Sequence, residues 1–211
     1  MRKIRFANGE FYHVYNRGVD KRVVFPHDDD FERFLKSMEI FNSTEPIGSL
    51  FEYSFLEKKA KRFPKLVNII CYCLNPNHYH LILEQLSDNG VSEFMKRLGG
   101  GFTNYFNLKN QRSGALFQGK FKAVHIDSNE YLLHVGAYVN LNNLVHRIRA
   151  EKFRSSWREY FGNANKKLCS KNIILKQFKN KYQYKDFVES SLKSIIERKN
   201  MLHELETMLL D

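Results

Sequence analysis

The chain has 211 residues, 43% of them hydrophobic and 27% charged. That is an ordinary globular composition for one domain or one with an appendage, and it excludes collagen-like, mini-protein, long repeat-array and disordered readings. With 34 Lys+Arg against 23 Asp+Glu the net charge is +11, which suits a polyanionic partner such as nucleic acid or an acidic membrane surface.

The start, Met1-Arg2-Lys3-Ile4-Arg5-Phe6, lacks the apolar run of a secretory signal. The longest apolar segment, Leu66 to Leu74, is too short to span a bilayer, so a cytoplasmic protein without a membrane is expected. Cys71 and Cys73 are too close along an extended chain to pair without strain, and with only three cysteines the thiols read as reduced and buried.

Glu10 to Arg17, rich in aromatic and β-branched residues and ending at Gly18, predicts a first strand. Asp28 to Ile40 predicts a helix, with three acids at its start and Phe31, Phe34, Leu35 and Met38 at helical spacing. Thr44 to Pro64 reads as irregular. Leu66 to Leu74 and His78 to Leu83 flank Asn75-Pro76-Asn77 as the strands of a hairpin. Ser92 to about Leu108 predicts a second helix, weakened locally by Gly99-Gly100-Gly101, and Lys120 to Ile126 a fourth strand.

Strand, helix, hairpin, helix, strand is the split βαβ order of an α+β, ferredoxin-like antiparallel sheet, with two helices on one face and the other face open for function. Ser128 to about Asn142 predicts a further helix, introduced by Asp127 with Glu130 as a capping box. Tyr184 to Leu209 reads as a long amphipathic helix with Phe187, Leu192, Ile195, Ile196 and Leu209 as buried candidates. This tail can pack on the core, make a homodimer or touch a partner, and the sequence leaves these open.

His78-Tyr79-His80 puts two imidazoles on one face of a strand, about 7 Å apart by backbone rise, where they can converge on one ion or serve as exposed polar positions near a turn. A zinc set that adds Cys71 and Cys73 is chemically reasonable. A three-residue loop Asn75-Pro76-Asn77 opposes it: Leu74 then faces His78, Tyr72 faces His80, and both thiols fall on the other face.

In the helix from Tyr131 to Asn142, the apolar stripe runs through Leu132, Val135 and Val139, and Asn142 falls beside it one turn after Tyr138. A buried amide without a partner costs roughly 1–3 kcal/mol, so Asn142 is either a helix-end cap or a ligand. Tyr138 is either a core aromatic or a nucleophile. A phenol has a pKa of about 10, so attack on a phosphodiester calls for a nearby cation, which two imidazoles and an amide oxygen would hold.

From Phe94 to Ile126 there is no acid, while Lys96, Arg97, Lys109, Arg112, Lys120 and Lys122 alternate with Phe102, Tyr105, Phe106, Phe117 and Phe121. Cations can track a phosphate backbone and aromatic faces can stack on unpaired bases. Phe102 and Phe106, at i and i+4, read as core instead.

Five pieces in order resemble one family: Tyr12-His13-Val14-Tyr15-Asn16-Arg17-Gly18, Asn75-Pro76-Asn77-His78-Tyr79-His80, Tyr105-Phe106-Asn107, Gly114 through Lys122, and Tyr138-Val139-Asn140-Leu141-Asn142. The chain is similar over about residues 8 to 160 to the single-tyrosine transposases of the histidine-hydrophobe-histidine superfamily, particularly the REP-associated tyrosine transposases.

The resemblance implies a catalytic domain over 1–160 and a helical C-terminal extension over 161–211. It also implies Mg²⁺ or Mn²⁺ held by His78, His80 and Asn142. Tyr138 would cut single-stranded or hairpin DNA, leaving a 5′-phosphotyrosine and a free 3′-hydroxyl, while Arg17 and the basic stretch grip phosphates. Where this chain carries Asn142-Asn143 the family commonly has Asn-Pro. The rival readings are a non-catalytic single-stranded nucleic-acid-binding protein derived from a transposase, and a structural zinc protein using Cys71 and Cys73.

Overall fold

The computed structural model describes residues 4–55, 63–162 and 167–208. Its centre is a five-stranded sheet in the order β4-β1-β3-β2-β5 with every ladder antiparallel. β1 is Phe11–Arg17, β2 Val67–Asn75, β3 His78–Gln85, β4 Lys122–Ile126 and β5 the two-residue Arg154–Ser155. β1 lies between β3 and β4 although they are distant in sequence, which is the split βαβ arrangement expected.

The first helix, α1 (Asp28–Ile40), begins on its three acids, and the Asp30 carboxylate accepts a 3.0 Å hydrogen bond from the backbone N–H of His27. The stretch read as irregular holds a short helix, α2 (Leu50–Phe55), started by the Ser49 hydroxyl accepting from the Glu52 N–H at 3.0 Å. Residues 56–62 of that stretch lie outside the described residues.

The next helix, α3 (Gly90–Lys109), passes through its three glycines without a break. Phe94, Leu98, Phe102 and Phe106, all buried on one stripe, offset the roughly 1 kcal/mol that each glycine costs relative to alanine. Gly101 is also required sterically, since a Cβ there would sit 2.9 Å from the ring of Phe41.

The hairpin corrects one expectation. Asn75 pairs with His78, so the loop is the two residues Pro76 and Asn77, not three. Pro76 and Asn77 are tied by their carbonyls to the backbone N–H groups of Val24, Phe25 and Gly18, which leaves Asn75 in the ladder. The parity therefore reverses: Cys73 faces His80 and Cys71 faces Ile82, and both thiols share the histidine face.

A second correction concerns the tyrosine helix. It forms as α4 (Asn129–Asn140), capped by Ser128 and not Asp127: the Ser128 hydroxyl accepts from the Tyr131 N–H at 3.2 Å. The backbone departs from helical geometry at Leu141 (φ −113°, ψ 21°), and Asn142 opens a separate turn, α5 (Asn142–Val145). Tyr138 and Asn142 thus sit on two consecutive elements. Three more helices follow, α6 (Trp157–Phe161), α7 (Asn172–Leu175) and α8 (Lys181–Met208).

The helices pack on both faces of the sheet. Under α1 and α3, Tyr12, Val14, Leu74, Tyr79, Leu81 and Leu83 meet Phe25, Phe34 and Phe102. The other face, expected open, is partly covered: Ile70, Cys71, Cys73 and Ile82 present apolar surface there, and Val135 and Val139 of α4 with Tyr184 and Val188 of α8 bury it. The Tyr184 hydroxyl accepts a 2.9 Å hydrogen bond from the Asn140 amide.

The buried seam of α8 is thus Tyr184, Val188 and Ser191, with Phe187, Leu192, Ile195 and Ile196 half-buried beside it. Leu209 lies outside the described residues. No helix among them is long and apolar enough to cross a membrane.

Candidate functional site

The covered face turns polar toward the hairpin end. Alternation brings His13, Tyr15 and Arg17 of β1, His78 and His80 of β3, and Cys73 and Asn75 of β2 to one side of the sheet. Tyr15 lies opposite His80 and Arg17 opposite His78. Both imidazoles of the His78-Tyr79-His80 motif therefore share a face with ring centroids 5.3 Å apart, while Tyr79 between them is buried in the opposite core.

The hydrogen bonds assign His78 a tautomer. Its Nδ1 is 2.6 Å from Asn77 Oδ1, which only accepts, so Nδ1 carries the proton. Nε2 is then a lone pair, taking a 2.9 Å hydrogen bond from the Asn75 amide. The same amide donates to Asn142 Oδ1 at 2.6 Å, and that oxygen is 3.3 Å from His78 Nε2. Two acceptors are thus drawn together around a single donor. The Nδ2 of fully buried Asn142 has no hydrogen-bond partner among the described residues.

His80 Nδ1 is 2.9 Å from His13 Nε2, and the two rings are inclined by only 22°. The phenol of Tyr138 stands almost perpendicular to both, 5.5 Å from His80 and 6.1 Å from His13 by ring centroids. Sequence, strand register and the α4 approach thus gather His78, His80, Asn142 and Tyr138 in one place.

Burial keeps the imidazoles neutral, pushing His13 down to about 4. Burial, with His146 nearby, pushes His78 down to about 4. His80 is held well below its ordinary value by burial and by its imidazole neighbours. Neutral imidazoles present lone pairs, the state a metal ligand needs. Burial raises the Tyr138 phenol, with the Asn142 side chain acting in the opposite direction.

The donor set fits a divalent cation: two imidazole nitrogens and an amide oxygen, from His78, His80 and Asn142. Mn²⁺ accepts such mixed ligands more readily than Mg²⁺, which prefers oxygens. Among the described residues no group of three or more His, Cys, Asp or Glu side chains is arranged to hold a metal ion. The cysteines are placed differently from a zinc pair. Both are buried in the apolar cluster beneath α4, and burial pushes the Cys73 thiol up to about 12 and Cys71 well above its ordinary value.

A cleft of about 290 Å³ opens over this face, lined by Tyr15, Arg17, His78, His80, Lys122 and His146 among others. Tyr138 is half-buried and lies outside that lining. A larger groove of about 1890 Å³ runs between α3 and the β1–β4 edge and carries Lys96, Lys120 and Lys122.

The seven cations singled out in the sequence divide by position. Arg17, Lys96, Lys120 and Lys122 are exposed on the cleft or groove. Lys96, though exposed, lies 3.6 Å from Glu93, and the other three are engaged more deeply in the fold. Arg97 binds Glu93 at 2.8 Å and the Ser43 and Glu45 carbonyls, Lys109 bridges Asp29 and buried Asp30 at 2.7 Å each, and Arg112 binds Asn107 and the Ala115 carbonyl.

Sequence reasoning assigned no role to His13, Asn75 or His146, whose ring lies 4.9 Å from that of His78. The available signal was the alternation His13-Tyr15-Arg17, which marks one face of β1. Only the register reveals that this is the face of His80.

Comparison with known proteins agrees with the resemblance read from the motifs. Residues 53–142 match the family described as transposase IS200-like, a span that holds the histidine motif, Tyr138 and Asn142. No curated protein matches by sequence. Among solved structures, the chain is similar to a REP-associated tyrosine transposase bound to a REP hairpin, at 15% identity and a TM-score of 0.51, covering 69% of this chain and 73% of that one.

Proposed function

We propose that this chain, which matches the IS200-like transposases over residues 53–142, cuts and rejoins single-stranded or hairpin DNA through Tyr138. The carrying observation is the placement of that phenol across the imidazole of His80, on the face where His78 Nε2 and Asn142 Oδ1 lie 3.3 Å from each other.

His78, His80 and Asn142 would hold Mg²⁺ or Mn²⁺. The ion's contribution would be to neutralise a phosphate and favour the phenolate. The Tyr138 oxygen forms a bond to phosphorus as the bond from phosphorus to the 3′ oxygen breaks. The products are a 5′-phosphotyrosine and a 3′-hydroxyl that gains the proton lost by the phenol. The covalent link keeps the phosphodiester energy, so a 3′-hydroxyl can attack it in reverse and reseal or transfer the strand. Arg17, Lys96, Lys120 and Lys122 supply the charge that holds the backbone. The solved relative's bound REP hairpin supports a folded single strand as substrate.

The half-buried position of Tyr138 outside the cleft lining favours a second reading, a binding protein that no longer cuts. Incubating a labelled single-stranded hairpin with the protein and Mn²⁺ separates the two on a denaturing gel. The enzyme gives a covalent band that is absent with Tyr138→Phe; salt-sensitive binding with no such band in the wild type supports the second reading.

A further inference from the structure

Of the polar groups on the histidine face, His13 has a built contact and no assigned purpose. It lies on β1, outside the segment matched to the transposase family. It is nearly buried, 9% exposed, and its Nε2 meets His80 Nδ1 at 2.9 Å.

A neutral imidazole has one N–H and one lone pair. The His13–His80 contact therefore takes a single proton between two nitrogens, and its owner decides what His80 can do. If His13 donated it, His80 would carry its own proton on Nε2 and could not ligate through that atom. If His80 donates it, Nε2 is a free lone pair.

The partner imidazole shows the same construction. His78 has Nδ1 anchored to Asn77 Oδ1 at 2.6 Å, which leaves its Nε2 as the lone pair beside Asn142 Oδ1. His80 has its Nδ1 anchored in turn, by an imidazole instead of an amide. The small angle between the His13 and His80 rings, 22°, directs an N–H along the plane of the accepting lone pair. Tyr15 stacks on His80 at 5.6 Å and 22°, limiting the ring's freedom to turn.

We infer that His13 is a positioning residue that accepts the Nδ1 proton of His80 and so leaves His80 Nε2 open to a divalent cation. The inference rests on the metal-dependent reading above. Removing such an outer partner costs a metal site about 10–100-fold in affinity.

The test uses the full chain with ¹⁵N-labelled histidine. Two-bond ¹H–¹⁵N correlation spectra of the metal-free protein report which nitrogen of His80 is protonated, and Mn²⁺ titration followed by electron paramagnetic resonance reports affinity. The expected result is a proton on Nδ1 of His80 in the wild type. His13→Leu should lose that tautomer and bind Mn²⁺ about 10–100-fold more weakly, while His13→Gln, whose amide oxygen can accept, should retain both within about threefold.

A wild-type His80 protonated on Nε2, or a His13→Leu protein binding Mn²⁺ as tightly as wild type, overturns the inference. A wild type that binds no Mn²⁺ removes the cation role, and with it both the inference and the metal-dependent reading. Mn²⁺ binding at wild-type strength in His13→Leu removes the inference alone. If His13→Leu fails to fold, the wild-type spectrum and the His13→Gln titration still decide.

Discussion

The two faces of this sheet solve opposite problems with the same strands. Beneath α1 and α3 the alternate residues Tyr12, Val14, Leu81 and Leu83 are buried against aromatic rings, and a buried charge such as Asp30 is paired with Lys109 and Tyr105. On the other face the interleaved residues His13, His78 and His80 gather imidazoles whose charge burial suppresses, with His13 and His80 in a 2.9 Å contact and Tyr15 stacked on His80. A fold gains little stability from neutral imidazoles in contact. Their convergence next to a half-buried phenol marks the candidate functional face, and the apolar face supplies stability that holds it.

The largest expected difference between the faces is catalytic. Tyr138→Phe should abolish covalent DNA adducts while leaving DNA affinity within about twofold, because in the proposed reaction the phenolic oxygen is the nucleophile and not a binding contact. Measuring adduct on a denaturing gel beside affinity by fluorescence anisotropy checks both. His80→Ala should reduce Mn²⁺-dependent cleavage by at least about 100-fold, several kcal/mol of transition-state stabilisation. Equal rates in mutant and wild type would place the cation elsewhere.

The apolar face should respond in stability instead. Lys109→Met leaves the buried Asp30 carboxylate without its ammonium partner. A loss of roughly 2 kcal/mol in urea unfolding is expected, with DNA binding little changed. On the histidine face, His13 and His78 are pushed from the ordinary 6.5 down to about 4 by burial. The unfolded chain then binds more protons than the folded one between those values. Stability should be full above pH 6.5 and fall toward pH 4, by roughly 2–3 kcal/mol for each imidazole. Urea titrations across that range should show a shallower decline in His13→Gln.

The smallest effects separate the cations. Arg17→Ala, Lys120→Ala and Lys122→Ala should each weaken hairpin binding several-fold and lower the salt dependence of log Kd by about one phosphate contact. Arg97→Ala, whose guanidinium serves Glu93 and two carbonyls, should leave that slope unchanged.

Much of this was legible in the amino-acid order. The strand at Phe11–Arg17, the helix at Asp28–Ile40 and the split βαβ order follow from alternation, three-acid capping and turn residues, all local signals. His78, His80, Tyr138 and Asn142 were singled out by chemistry and motif, and the fold assembles them. What was hidden depends on register and distance. One residue of loop length put the cysteines on the histidine face, since strand parity reverses with each residue.

His13 is 67 positions from His80, and no local pattern reveals that contact. Likewise Arg97, Lys109 and Arg112 read in sequence like the exposed cations beside them. Two of the three owe their engagement to distant partners, Arg97 to Ser43 and Glu45, and Lys109 to Asp29 and Asp30. Arg112 instead closes locally on Asn107 and the Ala115 carbonyl.

The most direct test is mass spectrometry of the intact protein after incubation with a single-stranded hairpin oligonucleotide and Mn²⁺, followed by peptide sequencing. The expected result is the mass of the 5′-phosphorylated cleavage product attached at Tyr138, absent when the metal is chelated. A nucleotide mapped to another residue, or no adduct at any Mn²⁺ concentration in a protein that still binds the hairpin, contradicts it.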